Sequence, residues 1–172
     1  MCRHATMGLP PVPASAGAAR RFVADAAQRW DLLPLLEDAE LALTELVTNA
    51  ILHAATPISI SISCAPDGME IAVFDGSPAL PATRPSGDIG RDPTDSRLHV
   101  REAGAAARGR GLVMVAALAA QWGVSPLSDG KAVWVRMAAP DPWPHGVGCA
   151  CASADALGRV PLASGRHVVH RG

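Results

Sequence analysis

The amino-acid sequence predicts an α+β fold, a two-layer α/β sandwich whose mixed, mainly antiparallel sheet is covered by helices on one face. Residues 35–54 run without Gly or Pro at helical spacing. Residues 58–75 alternate apolar and polar side chains on either side of a turn, and an apolar run opening at Arg110 leads to a further alternating segment.

Taken in order, residues 1–14 carry Gly8, Pro10, Pro11 and Pro13 with little periodicity, and read as a flexible leader or an edge segment. Ser15 stands as a serine N-cap ahead of Phe22, Val23, Ala26, Ala27 and Trp30 at helical spacing. Pro34 sits where prolines open helices, and Leu35 to Ala54 follows with Glu37, Asp38 and Glu40 early, where carboxylates complement the helix dipole. Ile58, Ile60, Ile62 and Cys64 alternate with three serines, which puts the apolar groups on one sheet face. After the turn Pro66-Asp67-Gly68, Met69, Ile71 and Val73 repeat the pattern, and Asp75 continues their face.

From Gly76 to Ala107 the chain is rich in Pro, Gly, Ser, Asp and Arg, long for a connection inside one domain. Arg110 to Trp122 reads as a buried helix stopped by Gly123. A turn at Asp129-Gly130 leads to a last strand over Ala132–Met137, and residues 140–172 lose all pattern and read as a disordered tail.

The 172 residues, 49% of them hydrophobic, suffice for one domain with an ordinary core. Fifteen basic against sixteen acidic side chains and 3% aromatics remove both the charge footprint and the stacking platforms of a nucleic-acid binder. The apolar run Leu112–Ala120 is too short to span a bilayer, and the N-terminus lacks the order of a signal peptide, so the expectation is a cytoplasmic protein without membrane contact. Four scattered cysteines lead to an expectation of reduced thiols. Cys149 and Cys151 with His145, His167 and His170 offer zinc-ligand types, but their spacing is not that of a finger or ribbon, and a loose tail is the better reading.

Chemistry gathers in three places. On a helical wheel Glu45, Asn49 and His53 form a polar stripe entering one margin of the core arc. A carboxylate four residues before an amide suits Mg²⁺, which takes oxygen ligands while keeping waters and phosphates, and Glu45 could instead act as general base. The alternative is a helix-edge network in which Asn49 and His53 satisfy one another. Asp75 points a carboxylate toward the core at a strand end, where it requires a donor: nearby backbone N–H groups, or the exocyclic amine of a purine. Gly109-Arg110-Gly111-Leu112 opens a helix with exposed N–H groups and close backbone approach, with Arg108 adding charge and Arg97 and Arg101 in the preceding loop. Asp75, Ser77 and His53 lack the flanking glycines of a hydrolase elbow.

In this order, Glu45-Leu46-Val47-Thr48-Asn49-Ala50, then Asp75-Gly76-Ser77-Pro78, then Gly109-Arg110-Gly111-Leu112, resemble the GHKL ATPase superfamily. With Trp122-Gly123-Val124 and Gly130-Lys131-Ala132-Val133-Trp134 the pattern is most similar to the bacterial anti-sigma-factor serine/threonine kinases, over about residues 15–138.

The resemblance implies a Bergerat ATP-binding fold over residues 15–139 with a lid at about 84–108, and ATP and Mg²⁺ as cofactors. Glu45 would be the catalytic base and Asn49 the metal ligand. Asn49, His53, Asp75, Ser77, Arg108, Gly109, Arg110, Gly111 and Leu112 would hold the nucleotide, with Asp75 accepting from the adenine amine. The implied partners are a sigma factor and an anti-anti-sigma protein, with a homodimer left open. Ser77 and Ala79 stand where the relatives' box has glycines, and Ala132 where they carry a threonine near the base. Those departures motivate the alternative of a catalytically weak or inactive nucleotide-binding partner-switch module.

Overall fold

The computed structural model describes residues 3–65, 67–79, 110–139 and 167–170. The strands and helices are β1 (His4–Leu9), α1 (Ala14–Trp30), α2 (Leu36–His53), β2 (Ile58–Ala65), β3 (Gly68–Asp75), α3 (Arg110–Leu118), β4 (Gln121–Leu127), β5 (Gly130–Ala138) and β6 (His167–His170). The sheet runs β1-β2-β3-β5-β4-β6, and each pair of neighbours is antiparallel. The expected α+β sandwich is therefore present. The lid, Arg108, Gly109 and the cysteines and histidine of the tail at 145–151 lie outside the described residues.

The Ile/Ser alternation of β2 does what its period dictates: Ile58, Ile60 and Ile62 are buried and Ser59 is exposed. Met69, Ile71 and Val73 of β3 lie on the same face, joined by Val133, Val135 and Met137 of β5. Against it lie Val23, Ala26 and Ala27 of α1, Leu43, Leu46 and Val47 of α2, and Val115 of α3. Each large aliphatic side chain buried here contributes about 1.5–3 kcal/mol. Helix α2 packs on both α1 and α3 and crosses β3, so its polar stripe is held between a helix and the sheet.

Five expectations are settled by the structure, four of them as corrections outright. Of the two readings of residues 1–14 the edge segment forms and the flexible leader does not: β1 pairs with β2 from His4↔Ser63 to Leu9↔Ile58 at the sheet edge, and the Arg3 guanidinium donates to the Trp30 carbonyl at 2.7 Å. Strand β2 would otherwise leave a row of unpaired backbone groups at the sheet edge, a demand that β1's own weak periodicity does not reveal. Ser15 is not the N-cap. Helix α1 begins at Ala14, and the buried Ser15 hydroxyl instead donates to the Pro10 carbonyl at 2.6 Å.

The third concerns the helix expected to reach Trp122. It ends at Leu118, and residues 121–127 form β4, entered through an Ala120 N–H to Arg136 carbonyl bond of 2.9 Å. An unbroken apolar run fits a buried helix and a buried strand equally; the free edge of β5 decides, pairing Trp122 with Val135 and Val124 with Val133. Within the expected tail, His167–His170 add β6 to the outer edge of β4, from Val124↔His167 to Gln121↔His170. Finally, the expectation of reduced thiols fails at Cys64, which is disulfide-bonded to a cysteine outside the described residues.

Helix α2 is preceded by a 3-10 turn over Leu33–Leu35, with Pro34 in its first positions, so the proline opens the helical path two residues before α2 itself. At the other end Ala55 adopts the left-handed region, φ 52°, with its N–H on the Ala50 carbonyl at 3.2 Å. That conformation turns the chain toward Thr56 and costs an alanine about 1–2 kcal/mol. Ala55→Gly removes the cost and adds back some unfolded-state entropy, so it is expected to raise stability by about 0.5–1 kcal/mol, read as a higher urea midpoint at constant slope.

Candidate functional site

Asp75 is the last residue of β3 and sits opposite Lys131 of β5 in the register. Both side chains face the helices. Lys131 Nζ donates to Asp75 Oδ1 at 2.8 Å, with side-chain exposures of 7% and 3%, and to the Ser77 carbonyl at 3.1 Å. The Ser77 N–H also donates to Asp75 Oδ1, at 2.9 Å. Asp75 therefore caps its own turn through a backbone N–H, as one reading of the sequence expected, and in addition carries a buried countercharge that the sequence reading did not identify.

The turn that follows is held from outside. The Gly76 N–H donates to Thr56 Oγ1 at 2.8 Å, and the Ala79 N–H to Ser77 Oγ at 3.3 Å. Gly130, at φ +149°, has its backbone against the Asp75 carbonyl, where a Cβ would collide. Only glycine brings the start of β5 this close, and the approach aligns Lys131 with Asp75.

The second half of the site is made by α2 and α3. Glu45 and Asn49 are half-buried, and neither makes a hydrogen bond within the described structure. Gly111, in the first turn of α3, lies against them: a Cβ there would strike Glu45 Oε2 and stand 3.6 Å from Asn49 Nδ2. The missing side chain thus lets the first turn of α3 approach a carboxylate and an amide. Leu112 beside it is partly buried on the core. Arg110 is the first residue of α3. His53, expected to share the covered stripe, is exposed at the last turn of α2, and it does not bond Asn49, so the self-satisfied network is not what forms.

Ala132 was the residue expected in place of the relatives' threonine. Its side chain is on the other sheet face, in register with Phe74 and Ser125, so the residue that meets Asp75 is Lys131. Parity along the strand carried the signal: Lys131 precedes the core residues Val133, Val135 and Met137 by even steps. No such signal marks Thr56, whose role depends on where α2 ends.

A half-buried Glu–Asn pair at a glycine-opened helix start, with a buried acid at a strand end under the same helical layer, defines a nucleotide-binding α+β domain. The chain matches the model of the histidine kinase-like ATPase domain over residues 9–138 and belongs to that family. No curated protein matches the chain. Among the described residues no helix is long and apolar enough to cross a membrane, and no cluster of three or more His, Cys, Asp or Glu could hold a metal ion.

Removing one partner of a buried ion pair leaves the other charge uncompensated. Lys131→Met is expected to cost about 3–5 kcal/mol in urea denaturation, and adding Asp75→Asn to it to recover part of that loss, a coupling that a double-mutant cycle reads directly.

Proposed function

We propose that this chain is an ATP-dependent protein serine/threonine kinase of the anti-sigma-factor type, acting in the cytoplasm. In this reading it phosphorylates an anti-anti-sigma partner and sequesters a sigma factor. The observation that carries the proposal is the contact of Gly111 with Glu45 and Asn49, which puts an anion-attracting helix start beside a carboxylate that bonds to no described residue.

ATP with Mg²⁺ supplies the transferable phosphoryl group and the neutralising charge, and the transfer itself asks for positioning more than for covalent help. Asn49 offers its amide oxygen to the metal. Glu45 would accept the proton of the incoming serine or threonine hydroxyl while that oxygen bonds to the γ-phosphorus and the bond from the γ-phosphorus to the β,γ-bridging oxygen breaks, with ADP as the leaving group. The α3 N-terminus holds phosphate oxygens through backbone N–H groups, and Asp75 Oδ2, which makes no bond to a described residue, accepts from the base amine. A cytoplasmic setting would expose the Cys64 disulfide to a reducing thiol pool.

A second reading is favoured by Ser77 and Ala79 in the box and by Lys131 on Asp75: a nucleotide-binding partner-switch module with weak or no transfer. Incubation with γ-labelled ATP, Mg²⁺ and the cognate anti-anti-sigma protein separates the two. Label on the partner that falls about 10²–10⁴-fold in Glu45→Gln, with nucleotide affinity retained, is the expected result. Tight partner binding without label selects the module. Asn49→Ala is expected to lower Mg²⁺-dependent nucleotide affinity while its circular dichroism matches the wild type, since Asn49 lies at the rim of the core.

A further inference from the structure

The sheet has a second face, opposite the helices. Strand alternation puts Ala72 of β3, Ala132 and Trp134 of β5, and Gly123 and Ser125 of β4 on it, with Trp134 in register with Ala72 on one side and Gly123 on the other. All five are buried, Trp134 at 4% and Ser125 at 1% exposure, although Ala72, Ala132 and Trp134 stand outside the core that the helices close. Ser59, on the same face of β2, is exposed. An alanine and a glycine are too small to bury an indole between them, and the described helices pack on the other face. The cover over β3, β5 and β4 therefore comes from residues outside the described ones.

Topology says which. Residues 80–109 begin beyond the Asp75 turn and end at α3, on the helix side. Residues 140–166 leave the end of β5 and return at β6. Strand β4 is antiparallel to both β5 and β6, so those two run parallel with β4 between them. Parallel strands of one sheet are joined by right-handed crossovers almost without exception. The path from β3 to β4 is another such crossover, passing β5, and its helix α3 lies on the core face. Both crossovers advance the same way along the sheet, but they leave strands that point in opposite directions. Right-handedness in both puts them on opposite faces, and the β5–β6 connection falls on the one without helices.

We propose that residues 140–166 pack on this second face over Trp134 as a third layer of the domain. They thereby occupy, within one chain, a surface that a second copy of the protein would otherwise cover. The segment is long enough to return along β5 with chain to spare. It carries Trp143, Val147, Leu157, Val160 and Leu162 and contains no Lys or Glu, a composition suited to burial against an indole. The inference does not rest on the nucleotide-binding reading.

Nuclear Overhauser spectra of the full chain test this. Cross-peaks are expected from the Trp134 indole to methyl groups of Val147, Leu157, Val160 or Leu162, and none of them in an isotope-filtered spectrum of mixed labelled and unlabelled protein. Cross-peaks to Leu98 or Val100 instead overturn the proposal, as do cross-peaks that survive the filter and so place a second copy on this face, or an indole that shows none to residues 140–166. Deleting residues 140–172 is expected to raise hydroxyl-radical oxidation of Trp134 severalfold while Trp30, buried in the core on the helix side, stays protected. Equal oxidation of Trp134 in the full and shortened chains overturns it. The spectra of the full chain decide the matter whether or not the shortened one folds.

Discussion

Two opposite charges, Asp75 and Lys131, sit at the end of the central strands with water nearly excluded, and much of the local architecture serves to make that tolerable. Desolvating a carboxylate and an ammonium costs several kcal/mol each, and their attraction offsets this only with good geometry and further hydrogen bonds. The geometry comes from direct pairing across β3 and β5, and from Gly130, which brings the β5 backbone against the Asp75 carbonyl. The further bonds come from the Ser77 N–H and carbonyl. Thr56 then anchors the same turn from the end of α2, so the strained Ala55 that directs the chain there belongs to the support of the ion pair.

The α2–α3 side of the site obeys a different constraint. There the side chains of Glu45 and Asn49 are half-buried and bond to no described residue, and a backbone takes the place of a side chain at Gly111. Glu45 and Asn49 lie beside the first turn of α3 without a bond to a described residue, which in the proposed function leaves their hydrogen-bonding capacity for phosphate and metal. One side of the domain thus carries a neutralised buried pair, the other half-buried polar side chains.

Much of this was legible along the chain. The hairpin β2–β3 follows from strict alternation, since a strand places successive side chains on opposite faces regardless of what packs on them. By the same rule Asp75 had to face the core, and the long run without Gly or Pro had to yield α2 with Glu45 and Asn49 on one stripe. Motif order then pointed to the family, because Glu45, Asn49, Asp75 and Gly111 come in the sequence in an order the fold requires. Lys131 is equally legible by parity, although the resemblance points to its neighbour Ala132, whose side chain lies on the other face.

Other features belong to the tertiary structure alone. Whether residues 119–127 continue a helix or pair with β5 depends on an unpaired strand edge, a property of another part of the chain. The same holds for β1 on the edge of β2, for the Ser15 hydroxyl that finds the Pro10 carbonyl rather than its own helix end, and for the disulfide of Cys64. Periodicity, caps and turn chemistry act over a few residues, so the sequence by itself determined the elements whose faces are set locally. Edges, countercharges and close backbone approaches are filled by whatever segment the fold brings near, and only the assembled sheet and helices decided those.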